Sequence, residues 1–524
     1  MSSPLAGVSR AILIALCLSC ALASQEVSPC ARCHRAESES FSQSPMGNSI
    51  GPPVALPGGR ITHELSGSVI TIEQRDQQMT HRLAQRLTAE YPVAYQIGAG
   101  RVGYSYIVQI GSYLFESPAS WYRSHGWDLS PGYVGLRDLD FDRRVDARCL
   151  FCHADQPEFT GAEGHRFSGR QLAAIGCDRC HGPGDDHARH PSARNIVNPA
   201  KLPPVVRDSI CEQCHLEGET RILNPGKSWL DFRPGEPFEQ VAATYLGSQH
   251  GGTAHAVNQS EQLARSKCQT AIGDRLWCAT CHDPHKQKTD PAEVRQACVS
   301  CHSTLSKAAH PGTPPECVSC HMPRLTPDDI PHAASTDHSI PRRPLPLSNS
   351  GNAAPDELIP WREPPAQFRD RDLALAEIIV GDKYQSAALR ESGIRLLNRV
   401  PLTPEEKDAK LLTALAGDAM EKGNLERALT LARRAVESAP DSGLAANVLA
   451  MVLRQSGDLD AAARQYRRAT EIDPSSRQSW IELAKLYQAQ GQMPEVLATI
   501  DRYLAWNPQS IMFRMVRMQR AGHQ

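Results

Sequence analysis

The chain has 524 residues, which is too long for a single hydrophobic core, so we expect two or three domains. Its 56 basic and 58 acidic side chains leave a formal net charge of -2, which argues against the broad basic surface that nucleic-acid binding requires. Aromatic residues are scarce while glycine and proline are abundant, a composition that suits a chain folded around a bulky cofactor.

The N-terminus has the pattern of an export signal. Arg10 precedes an apolar run over residues 11–22, and residues 21–23 have the small-x-small pattern that signal peptidase cleaves. We therefore predict a signal peptide over residues 1–23 and a periplasmic or extracellular protein. Cys20 leaves a lipoprotein anchor open as the alternative. The apolar run is too short to span a membrane, and no later segment reaches that length, so we expect no transmembrane segment.

Most of the cysteines belong to one repeated motif. Of the 17 cysteines, two lie in the predicted signal and 14 of the others form seven Cys-x-x-Cys-His units, so that Cys268 alone is left over. The seven units are Cys30, Cys33, His34; Cys149, Cys152, His153; Cys177, Cys180, His181; Cys211, Cys214, His215; Cys278, Cys281, His282; Cys298, Cys301, His302; and Cys317, Cys320, His321.

This spacing is typical of covalent haem attachment. Cysteines three apart lie on one side of a helical turn, so both can form thioethers to one haem while the adjoining histidine binds the iron. Paired Cys-x-x-Cys units also build zinc sites, and cysteine pairs can form disulfides, but neither use requires a histidine directly after the second cysteine. All seven units have that histidine. We predict seven covalent haem c groups, each with a proximal histidine.

The sixth ligand of each iron separates an electron carrier from a catalyst. An iron with histidine on both faces can only exchange electrons, whereas an iron with an open face can bind a small molecule. Nine further histidines lie close to the later motifs, more than the seven needed: His165, His187, His190, His250, His255, His285, His310, His332 and His338. The count therefore permits complete bis-histidine ligation without requiring it. For the first haem, Met46 or a distant histidine remains open.

The 115 residues between Cys33 and Cys149 contain no cysteine. Residues 104–110 alternate in polarity, a Gly111-Ser112 turn follows, and the alternation continues at Tyr113 and Phe115, which predicts a hairpin. A second extended run covers residues 63–72. We predict a small β-rich insertion over residues 41–147 that either covers a haem or forms a docking face or substrate pocket.

The C-terminal part has a different character. A proline-rich stretch over residues 340–365 is predicted to be a linker, and a helical repeat follows it. Landmarks recur every 34 residues: Gly423, Gly457 and Gly491, with Pro440, Pro474 and Pro508. This is the tetratricopeptide (TPR) period, and residues 374–400 are predicted to form a degenerate helical pair before the three repeats. The repeats form either a groove for a partner or a scaffold that packs on the rest of the chain.

Three stretches resemble a known group of proteins. CHGPGDDH, SKCQTAIGDRLWCATCHDPH, and CVSCHMPR followed by DIPHAASTDHSIPR are similar to multihaem cytochromes related to the tetrahaem electron acceptor of hydroxylamine oxidoreductase, in the exported subgroup with a TPR tail. The resemblance covers residues 29–343 and 409–508. It implies as distal ligands His187, His285, His310, His332 or His338, and His250 or His255. It implies no substrate, and an inert thiol is the default interpretation of Cys268.

These observations predict a mainly α protein: a haem-packed multihaem cytochrome over residues 24–339 with the small β-rich insertion, then an α-solenoid of TPR hairpins over residues 366–524. The favoured function is electron transfer between protein redox partners, with the repeats docking a partner. The alternative is a multihaem oxidoreductase that acts on a small nitrogen or sulfur compound at one open-faced haem, for which the first haem is the candidate.

Overall fold

A computed structural model describes most of the chain: residues 29–248, 257–286, 290–303, 317–325, 335–342, 353–403 and 407–521. The α-helices are α1 Arg35–Ser42, α2 Ala147–His153, α3 Asp178–His181, α4 Asp185–Arg189, α5 Pro204–His215, α6 Gln259–Arg265, α7 Lys267–Ile272, α8 Pro291–Cys301, α9 Cys317–His321, α10 Arg369–Tyr384, α11 Ala387–Leu397, α12 Ala409–Glu421, α13 Leu425–Ser438, α14 Gly443–Gln455, α15 Leu459–Ile472, α16 Arg477–Ala489, α17 Met493–Trp506 and α18 Ile511–Ala521. Within these described segments, no helix is long and apolar enough to cross a membrane.

The strands fall into one large and three small sheets. They are β1 Ile50–Gly51, β2 Gly59–His63, β3 Ser68–Arg75, β4 Gln78–Ala84, β5 Thr88–Ile97, β6 Gly103–Ile110, β7 Tyr113–Glu116, β8 Ala119–Tyr122, β9 Gly126–Leu129, β10 Arg143–Val145, β11 Phe159–Thr160, β12 Arg166–Phe167, β13 Thr220–Leu223, β14 Ala242–Gly247, β15 Arg324–Leu325, β16 Ser335–Thr336 and β17 Leu358–Pro360.

The insertion between the first two motifs contains many more strands than the sequence predicts. Strands β1 to β10 form one antiparallel ten-stranded sheet in which β10-β7-β6-β5-β4-β3-β2 are neighbours in that order. The predicted hairpin is confirmed, because Ile110 pairs with Tyr113 across Gly111, whose φ is +59°. Burial alternates along β3, so every second side chain, among them Ile70 and Ile72, enters the sheet's own core.

The segments that carry the later motifs consist of short helices joined by irregular chain. Helices α2, α3 and α5 each end on the histidine of a motif, as does α9. Asp146 caps α2, where its carboxylate accepts hydrogen bonds from the backbone N–H groups of Arg148 and Cys149 at 2.9 and 3.3 Å. Each of these motifs is therefore held in a single helical turn, which is the geometry that places its two thiols on one side.

The predicted helical repeats are confirmed. Helices α12 to α17 form three hairpins, and α10 with α11 forms the predicted pair before them. Gly423, Gly457 and Gly491 lie at the turn inside each hairpin with φ of +75°, +85° and +72°, a conformation that favours glycine. The 34-residue period therefore marks a real structural unit.

The repeats pack on the large sheet. The Trp506 ring lies 5.9 Å from that of Tyr113 and 6.3 Å from that of Phe115. The Tyr91 hydroxyl donates a hydrogen bond of 2.5 Å to Asn507, and Ile511, only 2% exposed, belongs to the sheet's core. These contacts come from the end of α17 and from the chain that leads into α18, so this edge of the solenoid is occupied by the sheet, as the scaffold alternative requires.

Asp473 makes several polar contacts between the repeats and the rest of the chain. Arg144 lies 2.7 Å from its carboxylate and His165 lies 3.6 Å away, while Ser475 donates a further hydrogen bond. Burial alone would raise the pKa of Asp473, but the neighbouring His165 ring, the hydrogen bond from Ser475 and the charge of Arg144 outweigh it and lower the pKa from 3.8 to about 2. The folded protein thus stabilises the ionised form of Asp473 relative to the unfolded chain.

This lowered pKa makes the stability depend on pH. A depressed carboxyl pKa stabilises the fold above the unfolded pKa, and the contribution is lost as the pH falls from about 4 to about 2. We expect Asp473→Asn to lower the free energy of unfolding by about 2 kcal/mol at pH 7, and to lose that deficit near pH 2. Urea unfolding followed by circular dichroism measures this. Asp501→Asn, at an exposed carboxylate 52% accessible, is the control and should change little; equal effects would contradict the assignment.

Candidate haem-binding site

Three of the seven motifs meet at their middle residues. Arg179, between the cysteines of the third motif, donates a hydrogen bond of 2.7 Å to the backbone carbonyl of Phe151 in the second motif. It donates another of 2.9 Å to the side chain of Gln213 in the fourth motif, whose amide returns one of 3.0 Å to the Arg179 carbonyl. All three residues are buried. The second, third and fourth attachment points are therefore held against one another.

The attachment cysteines of different motifs are also neighbours. The Cys152 thiol lies close enough to that of Cys214 to influence its ionisation, and the Cys211 thiol is likewise close to that of Cys278. These contacts join the second motif to the fourth and the fourth to the fifth. The thiols of Cys298 and Cys317 make a corresponding contact between the sixth and seventh motifs.

Three proximal histidines lie opposite a second imidazole. The His34 and His187 ring centres are 6.3 Å apart with 20° between the planes, and those of His181 and His285 are 6.0 Å apart at 17°. The third pair shows the same arrangement: the His282 and His338 ring centres are 6.1 Å apart at 28°. The sequence had left Met46 or a distant histidine open for the first haem, and the ring opposite His34 is that of His187.

These separations fit an iron between two imidazoles. A metal–imidazole bond of about 2 Å on each side, with about 1 Å from each nitrogen to its ring centre, gives about 6 Å between ring centres. The outer nitrogens are also engaged. His181 Nδ1 donates to the Val197 carbonyl at 2.8 Å, and His338 Nδ1 to the Thr336 carbonyl at 2.7 Å. The proton is thereby held on Nδ1, and the Nε2 lone pair is available for a metal.

Two of the remaining proximal histidines, His153 and His215, are deeply buried. Burial lowers the pKa of His153 to about 4, and burial is the largest cause that lowers the pKa of His215. Both therefore favour the neutral imidazole, which is the form that binds iron. His321 Nδ1 donates to the Pro341 carbonyl at 3.0 Å. The other candidate distal ligands lie outside the described residues: His250, His255, His310 and His332.

Two histidines near the motifs have other contacts. His165 lies against Asp473, and the His190 side chain, 78% exposed, lies 3.4 Å from Asp186. The resemblance had not selected either of them. Cys268 lies close enough to Cys281 to act on its ionisation, which places this leftover thiol beside the fifth motif.

Sequence reasoning missed a buried ion pair in the fourth motif. Glu212, 4% exposed, follows its first cysteine and accepts two hydrogen bonds from Arg362 at 2.5 and 2.7 Å. The Trp361 indole donates a third at 3.2 Å. Arg362 lies in the segment 340–365, predicted to have no regular structure, of which the described part includes β17 paired with β14. The one sequence feature that could have indicated this ion pair is the presence of a charged residue, Glu212, between two attachment cysteines.

A cleft lies at the C-terminal end of α1, the helix that follows the first motif. It has a volume of about 440 Å³ and opens between the chain that follows α1 and the loop joining β5 to β6. Asn48, Arg101 and Arg123 contribute its polar wall. The next residue after Asn48, Ser49, donates a hydrogen bond of 2.7 Å to the carbonyl of His153. The cleft is thus connected through one residue to the second motif.

Comparisons with known proteins agree with two parts of this architecture. Residues 135–182, which hold the second and third motifs, match the family model for cytochrome c554 and c-prime. Residues 413–477 and 453–518 match two models for tetratricopeptide repeats. The chain combines a cytochrome c segment with tetratricopeptide repeats. The cytochrome match implies haem c as cofactor, and the repeats imply protein partners.

Other comparisons add little. No curated protein matches the chain. Solved structures that match include "Crystal structure of MamA", with 17% identity over 26% of this chain and 81% of that one, and "Structure of Naa15/Naa10 bound to HypK-THB", with 21% identity over 27% and 21%. The TM-score is 0.23 in both cases, too low to support an argument.

Proposed function

We propose that this chain is an exported heptahaem c-type cytochrome that transfers electrons between protein redox partners. The observation that carries the proposal is the set of three facing imidazole pairs, each of which includes the histidine of an attachment motif. An iron saturated by two histidines exchanges electrons and leaves no site for substrate. The four remaining candidate ligands, His250, His255, His310 and His332, would serve the other irons.

The residues that would hold the cofactors are the fourteen attachment cysteines and the seven proximal histidines. Bound haem c would supply one-electron chemistry. The protein's own residues fix the imidazoles through their Nδ1 hydrogen bonds, as His181 and His338 do, and thereby limit reorganisation when the charge changes. The thiol contacts between motifs would keep neighbouring cofactors close, which supports transfer along the chain.

The repeats are proposed to dock a redox partner while they also brace the sheet. The edge formed by the loops between hairpins is occupied by the sheet, as the contacts of Asp473 and Asn507 show. The hairpin turns at Gly423, Gly457 and Gly491 lie at the other ends of the helices. A partner would therefore meet the solenoid on a surface other than the sheet-facing edge.

The cleft at the C-terminal end of α1 favours a second candidate function. Its two guanidinium groups, from Arg101 and Arg123, suit a small anion, so the chain would be an oxidoreductase acting on a small nitrogen or sulfur oxyanion. This function requires one iron with an open face. Saturated irons and a reactive open iron are therefore the two outcomes to distinguish.

Electron paramagnetic resonance of the fully oxidised protein, combined with total iron and haem assays, tests the proposal. Seven haems with only low-spin signals are expected for the electron carrier. A high-spin signal that changes when nitrite or sulfite is added would instead favour the oxidoreductase. Fewer than seven haems per chain would contradict the predicted cofactor count.

A further inference from the structure

Four arginines of the described chain are almost completely buried: Arg179, Arg207 and Arg221 at 8% exposed, and Arg371 at 4%. Two of them have a carboxylate partner. Arg207 lies 2.7 Å from Asp208, and Arg371 lies 2.7 Å from Asp408. A buried charge is costly unless it is paired, so such partners are expected.

Arg179 and Arg221 differ, because no carboxylate oxygen of a described residue lies within 4 Å of either guanidinium. Arg221 donates to the backbone carbonyls of Gln213 and Glu212 at 2.7 and 2.6 Å, and Arg179 bonds only to uncharged oxygens. The Nε atoms of both are buried without a hydrogen-bond partner. Each guanidinium also lies over an aromatic ring, Arg179 at 4.4 Å over Phe151 and Arg221 at 5.0 Å over Phe238.

The two charges lie among the attachment cysteines. Both guanidinium groups are close enough to Cys214 to act on it electrostatically, and Arg221 acts on Cys152 as well. Asp155 and Glu217 are acids at longer range, and Arg148 adds a further positive charge near Arg221. Two cations, neither of them in contact with a carboxylate of a described residue, therefore lie beside the second and fourth motifs, where solvent screens them poorly.

We infer that Arg179 and Arg221 raise the reduction potentials of the haems attached at the second and fourth motifs, which makes these two the preferred resting place of electrons in the protein. The inference rests on the proposed function. A ferrous haem carries one electron more than a ferric haem, so a fixed buried cation stabilises the reduced state relative to the oxidised one. The side chains act on potential and do not touch a substrate, so they are positioning residues.

The test is a potentiometric titration of the loaded full-length protein, followed by haem absorption and by electron paramagnetic resonance. For Arg221→Gln we expect the oxidised-to-reduced ratio of the highest-potential haems to rise about tenfold at fixed applied potential, which is about 59 mV for a one-electron couple. The lowest-potential part of the curve should stay unchanged. Arg221→Lys keeps the charge and should retain most of the wild-type curve.

Two controls separate charge from structure. Arg427→Gln, at an exposed arginine of α13, should leave the titration unchanged. Haem content and circular dichroism establish that each variant is loaded and folded. Arg179→Gln should lower the same potentials; if it takes up too little haem, the comparison of Arg221→Gln with Arg221→Lys tests the inference. Equal curves for Arg221→Gln and wild type, or equal shifts for Arg221→Gln and Arg221→Lys, would overturn the inference. Seven redox-active haems in those same samples would leave the proposed function standing, whereas redox-inactive or missing haems would refute that function itself.

Discussion

Replacing His187 with alanine is expected to convert one of the seven proposed haems from low-spin to high-spin. The His187 ring faces that of His34 at 6.3 Å, and its Nδ1 lies 3.1 Å from the Asn195 side-chain oxygen, so Nε2 is available for the iron. Alanine would remove the sixth ligand and open one face. Electron paramagnetic resonance should then show a new high-spin signal, and the reduced protein should bind carbon monoxide at one haem.

His190→Ala is the matched control for that variant. His190 is three residues away, is exposed and lies beside Asp186, with no described ring stacked on it. It should leave every haem low-spin. A variant lacking His187 with an unchanged spectrum would show that another residue, such as Met46, ligates the first iron.

Removing Arg362 is expected to destabilise the folded protein strongly, because its partner Glu212 is buried. Arg362→Met would leave that carboxylate without its bidentate partner, at a cost of about 3–5 kcal/mol in the free energy of unfolding. The double variant Arg362→Met/Glu212→Gln removes both charges and should recover most of the loss. Urea unfolding of the loaded protein measures both.

The exposed pair of Arg369 and Glu363 provides the control. Their side chains are 56% and 68% exposed at 3.0 Å, so Arg369→Met should cost under about 1 kcal/mol. The pH dependence gives a second readout. Burial raises the pKa of Glu212 and Arg362 lowers it, so in Arg362→Met the carboxyl should protonate at higher pH and the deficit should shrink as the pH falls. A deficit that did not depend on pH would point to lost packing instead.

Local signals account for what the sequence predicted well. The attachment motifs are five residues long and the repeats recur every 34, so each could be identified without knowing what packs against it. The hairpin at Gly111 could likewise be identified from neighbouring residues alone. The extent of the sheet was not, because only one hairpin and one extended run were distinctive enough to identify, and strands such as β5, which contains Pro92, are poor matches to a strand pattern.

Contacts between distant residues could not be predicted from the motifs alone. The facing rings of His34 and His187 are 153 positions apart in sequence, and Arg362 reaches Glu212 across 150. The charges inside two motifs, at Arg179 and Glu212, were visible in the sequence. Their burial was not, because it depends on three motifs packing against each other.

The packing of α18 and the residues just before it against the sheet has a consequence for how the sheet folds. Ile511 belongs to the sheet's core, Gln509 accepts a hydrogen bond from the backbone of Glu90, and Arg514 donates one to the carbonyl of Thr88. The sheet therefore acquires these neighbours only when residues 509–514 fold back on it. Contacts spanning more than 400 residues slow folding, and a variant truncated before residue 509 would expose apolar sheet surface to proteases.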